Sequence, residues 1–234
     1  MNTSYLYTMQ SSEILLTVDA IVFGYHQKQM NVLLIRRQYA PFEDKWALPG
    51  GFVLPGESLE TAVERELKEE TGVAINYLEQ LYTFGSPDRD PRQRIVTVAY
   101  FGLVNPQQFE IVASTDASEV QWFPADRLPA LAFDHRQILN YALERLRNKL
   151  TYEPVGLNLL DTDFPFSDLE NLYETILGRK IERRNFRRKF MGFGILNEIK
   201  VRHTAQKGRP GALFRFDKEK YNALKAKGFF FEIK

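Results

Sequence analysis

At 234 residues the chain is longer than most single domains, which leaves room for two. Its 44% hydrophobic and 13% aromatic content describes a chain that buries a real core, and so excludes a disordered or fibrous protein. The absence of cysteine excludes disulfides, thiolate zinc sites and a cysteine nucleophile, and His26, His135 and His203 lie too far apart to make a ligand pattern. The balanced charge hides an asymmetry. Residues 1–150 carry 14 Lys+Arg against 19 Asp+Glu, whereas residues 151–234 carry 17 against 11, and all 17 of those cations lie from Arg179 onward. The acidic and basic halves should therefore meet different partners, the carboxyl-terminal one a polyanion. Residues 1–13 lack a basic patch followed by an apolar stretch, and no apolar run approaches the roughly 20 residues of a membrane span, so a cytoplasmic protein with no membrane partner is expected.

In chain order, residues 14–25 and 30–36 are rich in Val, Ile and Leu around a polar turn and predict a hairpin. A loop over 41–45 leads into Trp46-Ala47-Leu48-Pro49-Gly50-Gly51. A helix follows over 59–71, with Leu59, Val63 and Leu67 every four residues, Ser58 as N-cap and Gly72 as stop. Strands are expected over 77–83, 94–104 and 120–123. Asp134 should cap a helix over 135–148 whose stripe is Ile138, Leu139, Ala142 and Leu146. Strands interleaved with two helices predict an α/β sandwich closing near residue 150.

Residues 151–166 are punctuated by proline and lack periodicity, as a linker would be. Beyond them, Ser167 and Glu170 have capping-box spacing for a helix ending at Gly178. After a short turn the helix over 182–191 has two faces, with Phe186 and Phe190 opposite Arg184 and Arg188, flanked by Asn185 and Arg187. Arginines on such a face can reach guanine edges or phosphates, and asparagine can reach adenine. Two β-like runs, 195–202 and 212–216, flank a loop with Lys207 and Arg209 that reads as a basic wing. Helix, turn, helix and wing predict a winged helix-turn-helix, with Arg183, Arg184, Asn185, Arg187, Arg188, Lys207 and Arg209 meeting double-stranded DNA.

The densest pattern begins at Gly51, has Glu57 after five residues, and after seven more reads Arg65-Glu66-Leu67-Lys68-Glu69-Glu70-Thr71-Gly72-Val73. Glu66, Glu69 and Glu70 are spaced to project from one side of a helix, where their mutual repulsion is relieved by a hard divalent cation such as Mg²⁺ or Mn²⁺ held together with phosphate. Arg65 lies one turn before Glu69 and can hold its carboxylate. These nine positions resemble the signature of the Nudix hydrolase superfamily, whose members cleave nucleoside diphosphates linked to another group by metal-activated water. The resemblance covers the first 150 residues and implies an α/β/α sandwich. It also implies that Glu66 and Glu70 ligate metal with the Gly50 carbonyl. Glu69 would be a further ligand or base and Glu57 a supporting carboxylate. Asp116 and Glu119 are the loop candidates for a general base.

With its second half included, the chain resembles the Nudix-related transcriptional regulators, which join a Nudix domain (here 1–150) to a winged helix (here 151–234, linker included). That family includes NrtR-type repressors of NAD metabolism and arabinose regulators. The likeness is carried by Asp88-Arg89-Asp90-Pro91, Phe101 to Val104, Ala132-Phe133-Asp134-His135, Leu172-Tyr173-Glu174 and Arg184-Asn185-Phe186-Arg187-Arg188. It implies a homodimer on a pseudo-palindromic operator and an effector of the ADP-ribose type. The expected effector set is Arg36, Gly51, Asp88, Arg89, Arg92 and Arg94, with His135 either a contact or a structural residue. A hydrolase with an accessory carboxyl-terminal domain and a sugar-responsive regulator are the alternatives.

Overall fold

The computed structural model describes residues 13–75, 77–108, 111, 117–199 and 212–233. The first half is a seven-stranded mixed sheet. Its path is β3 (Trp46–Ala47), β2 (Gln29–Arg37), β1 (Leu15–His26), β6 (Ile95–Val104) and β5 (Leu78–Phe84), with β4 (Gly50–Phe52) on β1 and β7 (Ala117–Pro124) on β2. Strand β1 runs parallel to β6 and antiparallel to β2, and the β1–β2 turn is made by Gln27 and Lys28 at φ 50° and 60°.

Strand alternation divides the apolar residues between two layers. Val18, Ala20 and Val22 pack with Ala62, Val63 and Leu67 of α1 (Leu59–Thr71). Ile21, Phe23, Val32 and Leu34 pack instead with Ile138, Leu139, Ala142 and Leu146 of α2 (His135–Tyr152). Both faces of β1 are thus covered, which explains its nearly unbroken apolar run and gives the expected α/β/α sandwich. Helix α1 has the expected termini: Ser58 Oγ accepts the Thr61 N–H, and Gly72 sits at φ 72°.

Beyond the sandwich, α3 (Phe166–Leu177), a turn and α4 (Arg183–Phe193) make a helix-turn-helix. It is backed by the three-stranded sheet β8 (Asp163–Pro165), β10 (Leu213–Phe216) and β9 (Leu196–Ile199), in that order. Gly178, at φ 66°, ends α3 and donates its N–H to the Glu174 carbonyl. This is the expected winged-helix arrangement, with the wing residues Lys207 and Arg209 lying outside the described residues.

Four expectations change. Residues 151–166 are not a free linker: α2 continues to Tyr152, a 3₁₀ turn spans Val155–Leu159, and Val155, Leu157, Leu159 and Phe164 are buried. They join one apolar cluster running from Ile21 and Phe101 through to Phe186, Phe190 and Phe214, so irregular backbone concealed a core segment that has no period. The Ser167 capping box does not form, because Pro165 holds the N-cap position and Ser167 lies in the first turn of α3. Asp134 makes no cap hydrogen bond, its carboxylate being taken by Arg89. A further helix, α5 (Lys218–Ala226), follows β10, capped by Asp217 and burying no residue. Among the described residues no helix is long and apolar enough to cross a membrane.

Candidate functional sites

A cleft of about 400 Å³ opens where β1, β4 and the start of α2 converge, within the size range of small-molecule sites. Glu66 and Glu70 line it, together with Gly50, Gly51, Asp19 and Arg37. Its glycines are required by close approach. Gly50 is at φ 154°, where a Cβ would overlap the Val18 carbonyl, and a Cβ on Gly51 would overlap the Glu66 carboxylate.

Arg65 organises the carboxylates. Its Nε and Nη2 donate to the two oxygens of Glu57 at 2.8 and 3.0 Å, and its Nη1 donates to Glu66 at 2.8 Å and to Glu69 at 3.2 Å. The hydrogen bonds of Arg65, joined by the Leu54 N–H, hold the Glu57 carboxyl below the usual carboxylate range. Glu70 is buried and accepts the Gly50 N–H at 2.8 Å. Glu69 departs from the expectation that all three glutamates share the site: its side chain is 60% exposed and does not line the cleft. The 100° step between successive helix residues separates it from Glu70, whereas Glu66 and Glu70 differ by only about 40°. Among the described residues no three acidic or histidine side chains converge as a metal cluster. The donor set is nevertheless chemically suited to a hard divalent ion, since two carboxylates face a cavity floored by closely approaching backbone.

The opposite wall is built by the loop preceding β6. Arg89 is almost fully buried and grips Asp134 through two hydrogen bonds, at 3.0 and 2.8 Å, while reaching Asp19 at 3.4 Å. Burial pushes the Asp90 carboxyl up, but Arg92, bonding it at 2.7 and 3.0 Å, holds it below the usual range. The guanidiniums of Arg37 and Arg92 lie over the Phe133 ring at 4.9 and 5.7 Å, and Arg92 also faces Phe52. The wall thus offers aromatic surface and positive charge side by side, suited to a planar ring carrying phosphate. Buried His135 accepts the Leu48 N–H on Nδ1 at 2.9 Å, and its Nε2 lies 3.6 Å from Asp19. Burial lowers its pKa and keeps the ring neutral.

Of the expected effector residues, Gly51, Arg89 and Arg92 line the cleft and Arg36, Asp88 and Arg94 do not. Arg36 points between Asp44 and Glu119, and Arg94 donates to the Ser86 carbonyl. Arg37 takes the place expected of Arg36, because alternation along β2 puts it on the same face as Ile35, which also lines the cleft. Of the two base candidates, Glu119 lies outside the cleft lining and Asp116 outside the described residues. Sequence reasoning missed Asp19, Arg37 and Phe52. Only the buried-strand position of Asp19, an acid within an apolar run, was a signal.

The second site is α4. Glu182 accepts the N–H groups of Arg184 and Asn185, fixing the helix start. Phe186 and Phe190 are buried against Phe166 and Tyr173, leaving Arg184, Asn185, Arg187 and Arg188 exposed as expected. The arginines are not equivalent. Arg183 turns toward Glu170 and Glu174, and Arg187 stacks over Phe166 at 4.6 Å. Arg184 and Arg188 make no ion pair among the described residues, and Arg188 donates to the Asn185 side chain.

The fold and cleft define a Nudix domain followed by a winged helix. A NUDIX domain model matches residues 14–143, and a model of the NrtR DNA-binding winged helix domain matches residues 156–216. The chain is 39% identical over 212 residues to the "ADPR responsive transcriptional repressor NtrR" of Acinetobacter baylyi, covering 89% of this chain and 84% of that one. It is 42% identical over 122 residues to the ADP-ribose pyrophosphatase of Methanocaldococcus jannaschii, 52% of this chain and 69% of that one. It also superposes, with TM-score 0.79 and 36% identity, on the crystal structure of Shewanella oneidensis NrtR complexed with a 27mer DNA, over 94% and 99% of the two chains. The chain belongs to the Nudix family and, within it, to the NrtR-type transcriptional repressors.

Proposed function

We propose that the chain is an ADP-ribose-responsive transcriptional repressor whose cleft binds ADP-ribose and whose α4 enters the major groove of its operator. One observation carries this reading: a single apolar cluster joins the layer behind the cleft to the two-faced helix with exposed Arg184, Asn185 and Arg188. The ADP-ribose assignment is supported by the two curated relatives, one spanning nearly the whole chain and the other its first half. We place the domain boundary near residue 150, with 1–150 holding effector and 151–234 holding DNA. The working form is a cytoplasmic homodimer on a pseudo-palindromic operator. For the ligand to regulate, it must bind the DNA-competent and DNA-incompetent states with different affinity. The experiment is a titration of ADP-ribose into a complex of the protein with a duplex enriched from a randomised pool. Release of the duplex supports the reading, and indifference of that complex to saturating ADP-ribose defeats it. Arabinose in the same assay tests the sugar-responsive alternative.

The intact box favours a second reading, in which the cleft also hydrolyses the diphosphate. Glu66, Glu70 and the Gly50 carbonyl, with Glu69 recruited from the helix edge, would hold Mg²⁺ or Mn²⁺. Such an ion neutralises diphosphate charge and lowers the pKa of bound water. Arg65 and Glu57 set the positions of Glu66 and Glu69. Formation of AMP and ribose phosphate from ADP-ribose with Mg²⁺, abolished by chelation, supports this reading. No turnover at saturating ADP-ribose and Mg²⁺ would sink it.

A further inference from the structure

The tip of the β1–β2 hairpin belongs to the Nudix half, yet it reaches the helix-turn-helix. The Thr175 hydroxyl of α3, which donates to the Asn171 carbonyl at 2.7 Å, also lies 3.3 Å from the Lys28 carbonyl. Nearby, Arg147 of α2 donates to the Ile176 carbonyl at 3.0 Å. This junction leaves Lys28 as one wall of an open groove of about 550 Å³, whose other charged residues are Glu174, Arg179, Lys180 and Arg183. Four cations therefore face one carboxylate. Glu174 is engaged by Lys180 at 2.9 Å and more distantly by Arg183. Lys28 and Arg179 are exposed and form no ion pair among the described residues.

The position of the groove matters as much as its charge. It is formed by the end of α3, the turn and the first residue of α4, and Arg183 precedes Arg184 on the helix that carries the exposed DNA-reading face. A duplex seated on α4 places its sugar-phosphate backbone beside the helix-turn-helix, where phosphate contacts fix register without reading sequence. Asn171 adds a neutral side chain to the same wall.

We propose that Lys28 of the Nudix half, with Arg179, forms a second contact to the DNA backbone, so that the duplex is held by both halves of the chain. This rests on the reading of α4 as the DNA-binding helix. It has a consequence for regulation: β1 also carries Asp19 and β2 carries Arg37, both lining the cleft, and Asp19 lies nine residues, roughly 30 Å of strand, from Lys28. One hairpin then touches effector at its root and DNA at its tip.

The test uses the full chain, a duplex enriched from a randomised pool, and a scrambled duplex, with affinities measured between 50 and 200 mM salt. Lys28→Asn removes the charge while tolerating the positive φ of the turn, and Arg179→Gln is added to it. Each cation removed from the phosphate backbone should make the log–log salt slope shallower by about 0.9, and a homodimer loses two per substitution, so the single variant should shift it by about 1.8 and the double by about 3.6, equally on both duplexes. Lys28→Arg should restore the parental slope. Unchanged slope and affinity in the double variant, while Arg184→Ala with Arg188→Ala abolishes binding, would overturn the second contact and spare the reading of α4. If that α4 variant also leaves binding unchanged, both fall. Coincident thermal melting of all variants with the parent establishes that the folds are equal.

Discussion

The cleft and α4 treat charge in opposite ways. At the cleft most cations are already matched by acids: Arg65 behind the lining by Glu57, Glu66 and Glu69, Arg89 by Asp134 and Asp19, and Arg92 by Asp90, while Arg37 donates to the Pro41 and Tyr39 carbonyls. On α4, Arg184 and Arg188 have no acidic partner among the described residues, whereas Arg183 and Lys189 are turned back toward acids of their own domain. A matched network holds side chains in fixed positions for a small ligand of defined shape. Unmatched arginines instead keep their full attraction for a polyanion and gain by releasing its counterions. The cleft is built for geometry and the helix for charge.

The largest effect that separates the two regions is expected from Arg89→Ala. Removing this buried cation leaves Asp134 and Asp19 without their partner, which should cost about 3–5 kcal/mol of stability by chemical denaturation. A loss below about 1 kcal/mol would mean that the network is not the rigid element described. Next, Arg184→Ala with Arg188→Ala should lower DNA affinity at least about a hundredfold and, with two protomers on the operator, flatten the salt slope by about 3.6 if both contact phosphate, without moving the melting shift produced by ADP-ribose. A changed ADP-ribose shift would show that the two regions are not separable in this way.

A smaller effect should come from Glu182→Ala, which removes the α4 cap and should destabilise by about 1 kcal/mol. The same change removes a negative charge beside the arginines, so affinity for a scrambled duplex should rise while stability falls. If both move together, the cap matters to binding only through the fold. The smallest effect is the pH response of His135. Its pKa is depressed in the folded state, so the unfolded chain binds more protons, and its contribution to stability is present above the unfolded value of about 6.5 and lost as pH falls below it. Denaturation midpoints at pH 7.5 and 5.5 should therefore differ more for the parent than for His135→Gln, and equal differences would refute the role given to this ring.

Much of this was legible in the chain. The α1 helix, its cap and stop, the alternation that sandwiches β1, and the two faces of α4 all follow from spacings within one element, which local backbone geometry enforces. The buried segment 155–164 was not, because irregular backbone has no period to detect and its apolar residues resemble a linker's scatter. Helix α5 went unread because it buries no residue fully and its apolar face is only Tyr221 and Leu224, too short a stripe to show a period, although Asp217 and Gly228 bracket it.

The sequence by itself determined that a carboxylate-rich loop and helix precede a basic two-faced helix. Those features are repeats and caps, set by the pitch of a helix and the pleat of a strand. Only the tertiary structure decided that Arg37 rather than Arg36 enters the cleft, that Glu66 and Glu70 face it while Glu69 does not, and that Lys28 arrives beside Arg179. Each of these depends on which face of a strand is turned to the cleft, a helix's rotation against its sheet, or the approach of segments far apart in the chain. No spacing along one element encodes such relations; they are fixed when the layers pack.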